Sequence, residues 1–123
     1  MPTRCLIVDD NESFLEVVRV LLEREGLRVA AVASTSAEAL GLFETLHPDV
    51  VLVDIFLGEE SGLDLARHLA EDGQGDPATV ILISTHSEDD LADIIAASPA
   101  AGFLPKTELS AKAIRRIVDE RSG

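Results

Sequence analysis

Apolar residues fall along this chain in two rhythms. Four compact runs, Cys5-Leu-Ile-Val8, Val50-Val-Leu-Val53, Val80-Ile-Leu-Ile83 and the weaker Ala101-Gly-Phe-Leu104, are short and continuous, and the first three are rich in β-branched residues. That is the pattern of strands buried on both faces, as in a parallel sheet. A fifth run, RVAAVA at 28–33, fits a strand of smaller residues. Between these runs the apolar spacing changes to three and four. Phe14, Val18, Leu21 and Leu22 recur in this way, followed by Leu40, Phe43 and Leu46, then Leu65 and Leu69. Leu91, Ile94 and Ile95 form the next set, and Ile114, Ile117 and Val118 the last. Each set predicts one buried face of a helix.

Start and stop signals agree with these periods. Thr35 and Glu38 have the spacing of a capping box, and Ser61 with Asp64 and Ser87 with Asp90 repeat it with a shorter acid. Gly26 and Pro48 close the first two helices, and Gly73-Gln-Gly-Asp-Pro77 predicts a loop after the third. The chain therefore reads strand–helix five times, as one domain over residues 1–123. Strict alternation of this kind predicts an α/β fold, a single doubly wound, five-stranded parallel sheet with helices on both faces.

Charge narrows the partners. Ten Lys and Arg stand against 23 Asp and Glu, a formal net charge of −13. Such a surface repels phosphate backbones, so no direct nucleic-acid contact is expected, whereas basic protein surfaces and divalent cations are favoured. Cys5 is the only cysteine, which excludes a disulfide framework and a thiolate-rich zinc site. The N-terminal apolar run is too short for a signal-peptide core, and the Ala-rich stretch 94–104 is broken by Pro99 and Gly102. Nothing approaches the roughly 18–20 apolar residues of a membrane span, so the expected setting is cytoplasmic and away from membranes. His47 and His68 lack metal-ligand spacing, and Glu88-Asp-Asp90 suits the first turn of a helix.

One stretch resists this bland reading. Residues 49–58 are DVVLVDIFLG, in which Asp54 has apolar residues on both sides. A carboxylate so placed must reach water at a strand end, find a partner, or do chemistry. In open parallel sheets, ligands bind beyond the carboxyl ends of the strands. The residues just past the apolar runs are Asp9 and Asp10, Asp54, Ser84, and, after Pro105, Lys106. Three carboxylates held together repel one another, and a hard cation such as Mg²⁺ relieves the repulsion. A hydroxyl and an ammonium beside them suit a phosphoryl group, whose transfer depends mainly on positioning and electrostatics.

In this order, LIVDD (6–10), VLVDI (51–55), ILIS (81–84) and GFLPK (102–106) resemble the receiver domains of bacterial response regulators, over essentially the whole chain. The resemblance implies a flavodoxin-like strand order 2-1-3-4-5. It implies that Asp54 accepts a phosphoryl group from a phosphohistidine of a sensor histidine kinase or phosphotransfer protein. Asp9, Asp10, Asp54 and the backbone carbonyl of Phe56 would hold Mg²⁺, and Lys106 would pair with the phosphoryl group. Ser84 and Phe103 would form the switch, and Phe56 and His86 fall where the family tunes phosphate lifetime. Such a chain catalyses only its own phosphorylation and dephosphorylation and is not otherwise an enzyme. Its output would be a phosphorylation-dependent homodimer or a downstream protein, with the chain standing alone or serving as the receiver part of a DNA-binding regulator.

Three positions depart from the family, one of them Ser61, which stands before Gly62 where an acidic or amide residue is common. Thr107 replaces the proline that usually follows the lysine, which predicts a trans peptide bond because a non-proline cis bond costs about 3–4 kcal/mol. Gly58 stands where proline is common. Thr107 and Gly58 keep open a degenerate receiver that binds partners without phosphorylation. A haloacid-dehalogenase-type phosphatase wants a second Asp where Phe56 stands, and a flavodoxin-type phosphate loop is incompatible with the acidic DDNES after the first strand.

Overall fold

Each apolar run becomes a strand of one parallel sheet. The computed structural model describes residues 3–71 and 78–122. Its elements are β1 (Arg4–Val8), α1 (Glu12–Arg24), β2 (Arg28–Ala33), α2 (Ser36–Leu46), β3 (Val50–Asp54), β4 (Phe56–Leu57), β5 (Glu60–Ser61), α3 (Gly62–Glu71), β6 (Thr79–Ser84), α4 (Ala92–Ala96), β7 (Gly102–Pro105) and α5 (Ala111–Ser122). The five-stranded sheet runs β2-β1-β3-β6-β7, which is the order 2-1-3-4-5 when its own strands are counted along the chain. β4 and β5 form a separate antiparallel pair that the apolar pattern did not announce. The predicted loop at Gly73–Pro77 lies outside the described residues.

Alternate residues of the central strands feed two cores. Leu6, Val8, Val51, Val53, Val80 and Leu82 face Leu65, Leu69 and Leu91 on one side. Cys5, Ile7, Val50, Leu52, Ile81 and Ile83 face Leu15, Val18, Leu22 and Ile114 on the other. Residues such as Leu52 and Ile81 are fully buried, and each such side chain contributes about 1.5–3 kcal/mol through removal from water. Burial also pushes the Cys5 thiol up to about 12, so it is an inert core hydrophobe.

The helices refine the sequence reading. In α1 the buried stripe is Leu15, Val18 and Leu22, with Phe14 half-buried and packed against the same core, while Leu21 is 41% exposed. Asn11 caps α1 by accepting the N–H of Phe14, and Gly26 follows its end in the left-handed region at φ 89°. Thr35 caps α2 as expected, and Glu38 reaches back to the N–H and hydroxyl of Ser34. These hydrogen bonds hold the exposed Glu38 carboxyl below its ordinary value, the backbone one first. α2 closes through His47 at φ 48°, immediately before Pro48. The fourth helical set does not form one helix from Ser87. It is a 3-10 turn, Asp89–Leu91, followed by the five residues of α4, and only Leu91 is buried.

Candidate functional site

Strand register assembles the site. Val8 pairs with Val53 across β1 and β3, so the next residues, Asp9 and Asp54, leave the sheet side by side. Asp54 pairs with Ile83, and Ser84 pairs with Pro105, which brings Lys106 to the same edge. Asp9, Asp10 and Asp54 offer carboxylate oxygens all within 4.8 Å of one another, with Asp9 fully buried and Asp10 exposed. Lys106 begins a 3-10 turn, Lys106–Glu108, and its Nζ lies 2.6 Å from Asp9 Oδ2 and 3.2 Å from Asp54 Oδ2. The described residues contain no cis peptide bond, so the Lys106–Thr107 bond is trans, and the ammonium still reaches both acids.

The backbone fixes the two buried acids. Asp9 Oδ1 accepts the N–H of Asn11 at 2.9 Å, and Asp54 Oδ1 accepts the N–H of Phe56 at 3.1 Å. Asp9 Oδ2 touches the ammonium but receives no well-angled hydrogen bond. Two buried carboxylates therefore share one ammonium, with the exposed Asp10 carboxylate close by. Burial pushes the Asp54 carboxyl above its ordinary value, the Asp9 charge pushes it further, and the Phe56 N–H and Lys106 only partly pull it back. Burial alone would lower Lys106. Its contact with Asp9 and the charges of Asp54 and Asp9 outweigh that, so it stays above its ordinary value and charged.

This donor set fits a hard cation. It offers carboxylate oxygens only, one of them buried and short of a hydrogen-bond donor, and an excess of negative charge that a divalent ion would neutralise.

Two residues that the sequence reading did not assign to the site belong to it. Phe14, assigned to the core stripe of α1, puts its ring 4.4 Å under the Lys106 ammonium, a cation–π contact. Gly62, which opens α3, donates its N–H to the Ile55 carbonyl at 2.9 Å. A Cβ at Gly62 would lie 1.9 Å from the Asp54 carbonyl oxygen, so only glycine allows this loop to close behind the acid. The helix-start pattern around Ser61 hints at Gly62, but nothing local hints at the Phe14–Lys106 pair.

The remaining candidates lie near but not all inside the cluster. Ser84 is buried at the end of β6, and its Oγ contacts His86, not Asp54. Phe56 is 49% exposed and its ring packs on His86 with centroids 5.3 Å apart. Phe103 is buried in the core beneath α3 and α4.

The family model of the response regulator receiver domain matches residues 5–119. The chain belongs to that family. The receiver is similar to the DNA-binding response regulator MtrA of Mycolicibacterium smegmatis, at 35% identity over 89 residues, 72% of this chain and 38% of that protein. The heme response regulator HssR of Staphylococcus saprophyticus is 41% identical over 70 residues, 57% of this chain and 31% of that protein. The chain spans about a third of the length of these curated relatives. Among solved structures, a LuxR-family two-component response regulator from Aurantimonas superposes with a TM-score of 0.83 at 28% identity, covering 98% of this chain and 87% of that one. The signal receiver domain of NarL from Mycobacterium tuberculosis gives 0.79 at 32% identity, covering 96% and 97%. Phosphorylation is the known mode of action of such receivers. Among the described residues no helix is long and apolar enough to cross a membrane.

Proposed function

We propose that Asp54 is the phosphoacceptor of this receiver. The observation that carries the reading is a buried carboxylate held by one N–H and one ammonium, beside two further acids, at the carboxyl edge of the sheet. An Asp54 oxygen attacks the phosphorus of a phosphohistidine on a sensor kinase or phosphotransfer protein. The new O–P bond forms as the P–N bond breaks, and the bonding pair leaves on the imidazole nitrogen, which takes up a proton. Asp9, Asp10, Asp54 and the Phe56 carbonyl would hold Mg²⁺, which supplies charge neutralisation for the phosphoryl oxygens. Lys106, already bridging Asp9 and Asp54, turns its ammonium to the added charge, and Phe14 keeps it over the site.

Ser84 then turns its hydroxyl to the phosphoryl group, and with Phe103 it shifts the surface formed by α4, β7 and α5. That surface contacts a second copy or a downstream protein in the cytoplasm, and any DNA contact belongs to an attached domain, in keeping with the net charge of −13. The domain turns over no other substrate. Hydrolysis of the aspartyl phosphate ends the signal, and the half-exposed Phe56 ring screens the phosphorus from water. Phe56→Asn is expected to speed dephosphorylation, and an unchanged rate would remove Phe56 from that role.

The reading is tested by intact mass after incubation with acetyl phosphate. A gain of one phosphoryl group that needs Mg²⁺ and is lost in Asp54→Asn supports it. No gain, under conditions that label another receiver, points to a protein-binding module that works without phosphorylation.

A further inference from the structure

We infer that His86 is a latch that holds the Ser84 hydroxyl in its resting position and so opposes the switched state. The inference rests on the phosphoacceptor reading of Asp54. Ser84 Oγ is buried at the end of β6, where free hydroxyls are costly, and His86 satisfies both of its roles. The backbone N–H of His86 donates to Ser84 Oγ at 3.1 Å. The His86 ring places Nδ1 3.3 Å from the same oxygen. With the ring proton on Nε2, Nδ1 accepts the hydroxyl hydrogen, which is the hydrogen Ser84 must offer to a phosphoryl oxygen. Among the described residues Ser84 Oγ has no hydrogen bond to Asp54 or Lys106.

The ring is itself braced. It packs at 58° on Phe56, whose N–H holds Asp54 Oδ1. The serine, the latch and the acceptor are thus joined through two residues. Reaching a group on Asp54 requires the Ser84–Nδ1 hydrogen bond to break, so the latch lowers the population that can bind a phosphoryl group well. His86 acts through Ser84 and is a positioning residue.

Two substitutions separate its parts. His86→Phe keeps an aromatic ring against Phe56 and removes the acceptor. His86→Asn removes the ring and keeps an acceptor oxygen bonded to Cγ, where Nδ1 was. The probe is beryllium fluoride with Mg²⁺, a non-transferable mimic of the phosphoryl group, with its bound fraction read by fluorine NMR. The latch predicts that His86→Phe binds about fivefold more tightly than wild type, the worth of one net hydrogen bond. It predicts that His86→Asn stays near wild type and that His86→Phe has no effect in a Ser84→Ala background.

If wild type binds and His86→Phe matches it, or gains as much without Ser84, the latch is overturned and the phosphoacceptor reading stands. Tighter binding by His86→Asn alone would make the ring a steric screen and also overturn the latch. No binding by wild type would overturn the phosphoacceptor reading, and the latch with it.

Discussion

Asp49 and Asp54 bracket the same strand and live in opposite circumstances. The stretch DVVLVD is symmetric in its pattern, so nothing local tells its two acids apart. At the amino end, Asp49 is exposed and its Oδ2 accepts the N–H of Arg4 at 2.8 Å. Its backbone also joins β3 to both neighbours, donating to Arg4 O at 2.9 Å and accepting from Thr79 N at 3.0 Å. At the carboxyl end, Asp54 is 6% exposed and shares a single ammonium with Asp9, with Asp10 close by. One acid closes the sheet through its side chain and backbone. The other is crowded with like charge and held there by the fold. The difference comes from strand polarity, which sends all five chain exits, and therefore the reactive groups, to one edge.

The largest expected effect tests how rigidly that edge is built. Gly62→Ala puts a methyl group into the Asp54 carbonyl, and because the overlap is with backbone, no rotamer relieves it. The variant is expected to lose about 3 kcal/mol or more, read from its urea midpoint. A midpoint equal to wild type would mean that the loop does not pass so close behind the acid.

Next come the two acids themselves, which should respond with opposite sign. Asp49→Ala loses the Arg4 contact and is expected to cost about 1 kcal/mol while leaving phosphorylation intact. Asp54→Asn, measured without divalent cations near neutral pH, is expected to stabilise by about 1 kcal/mol, since it removes a crowded charge and leaves Lys106 paired with Asp9. Destabilisation by both variants would erase the contrast.

The same contrast should depend on pH. A carboxyl raised above its ordinary value of 3.8 binds its proton more tightly in the folded state. Its ionisation therefore erodes stability as pH rises from that ordinary value through the raised one. The advantage of Asp54→Asn should shrink as pH falls through this window and vanish below it. A constant difference across the titration would contradict the direction of the shift.

The smallest expected effect sharpens the role of the one ammonium. Phe14→Leu keeps the apolar bulk and removes the ring beneath Lys106. Labelling by acetyl phosphate should slow about two- to fivefold, the range of an exposed cation–π contact, with little change in thermal midpoint. An unchanged rate would leave Phe14 as packing alone.

Much of this was legible in the sequence. Continuous apolar runs marked the sheet strands, most plainly the central β1, β3 and β6, because burial on both faces leaves no room for polar residues. Their polar followers marked the edge where Asp9, Asp54 and Lys106 converge. What escaped depends on relations across the fold. Helical spacing put Phe14, Val18, Leu21 and Leu22 on the buried stripe of α1, and packing instead buried Leu15 with Val18 and Leu22 and left Leu21 exposed. The apolar set after Ser87 did not foretell its break into a turn and a short α4, because the backbone at Leu91 leaves helical geometry at φ −115° and ψ 9°. The Phe14 ring under Lys106 joins residues far apart in the chain, whose meeting no local spacing encodes. The close approach of Gly62 to Asp54 depends on the path of the loop between them. The His86 ring, though only two residues past Ser84, could have turned to water instead.

The most direct measurement locates the phosphoryl group. Protein labelled with acetyl phosphate and Mg²⁺ is treated with borohydride, which reduces an aspartyl phosphate to homoserine, and peptide fragmentation then reads its position. Homoserine is expected at position 54 alone. Homoserine at position 9, 10 or 49, or at none in protein that has gained the phosphoryl mass, would contradict it.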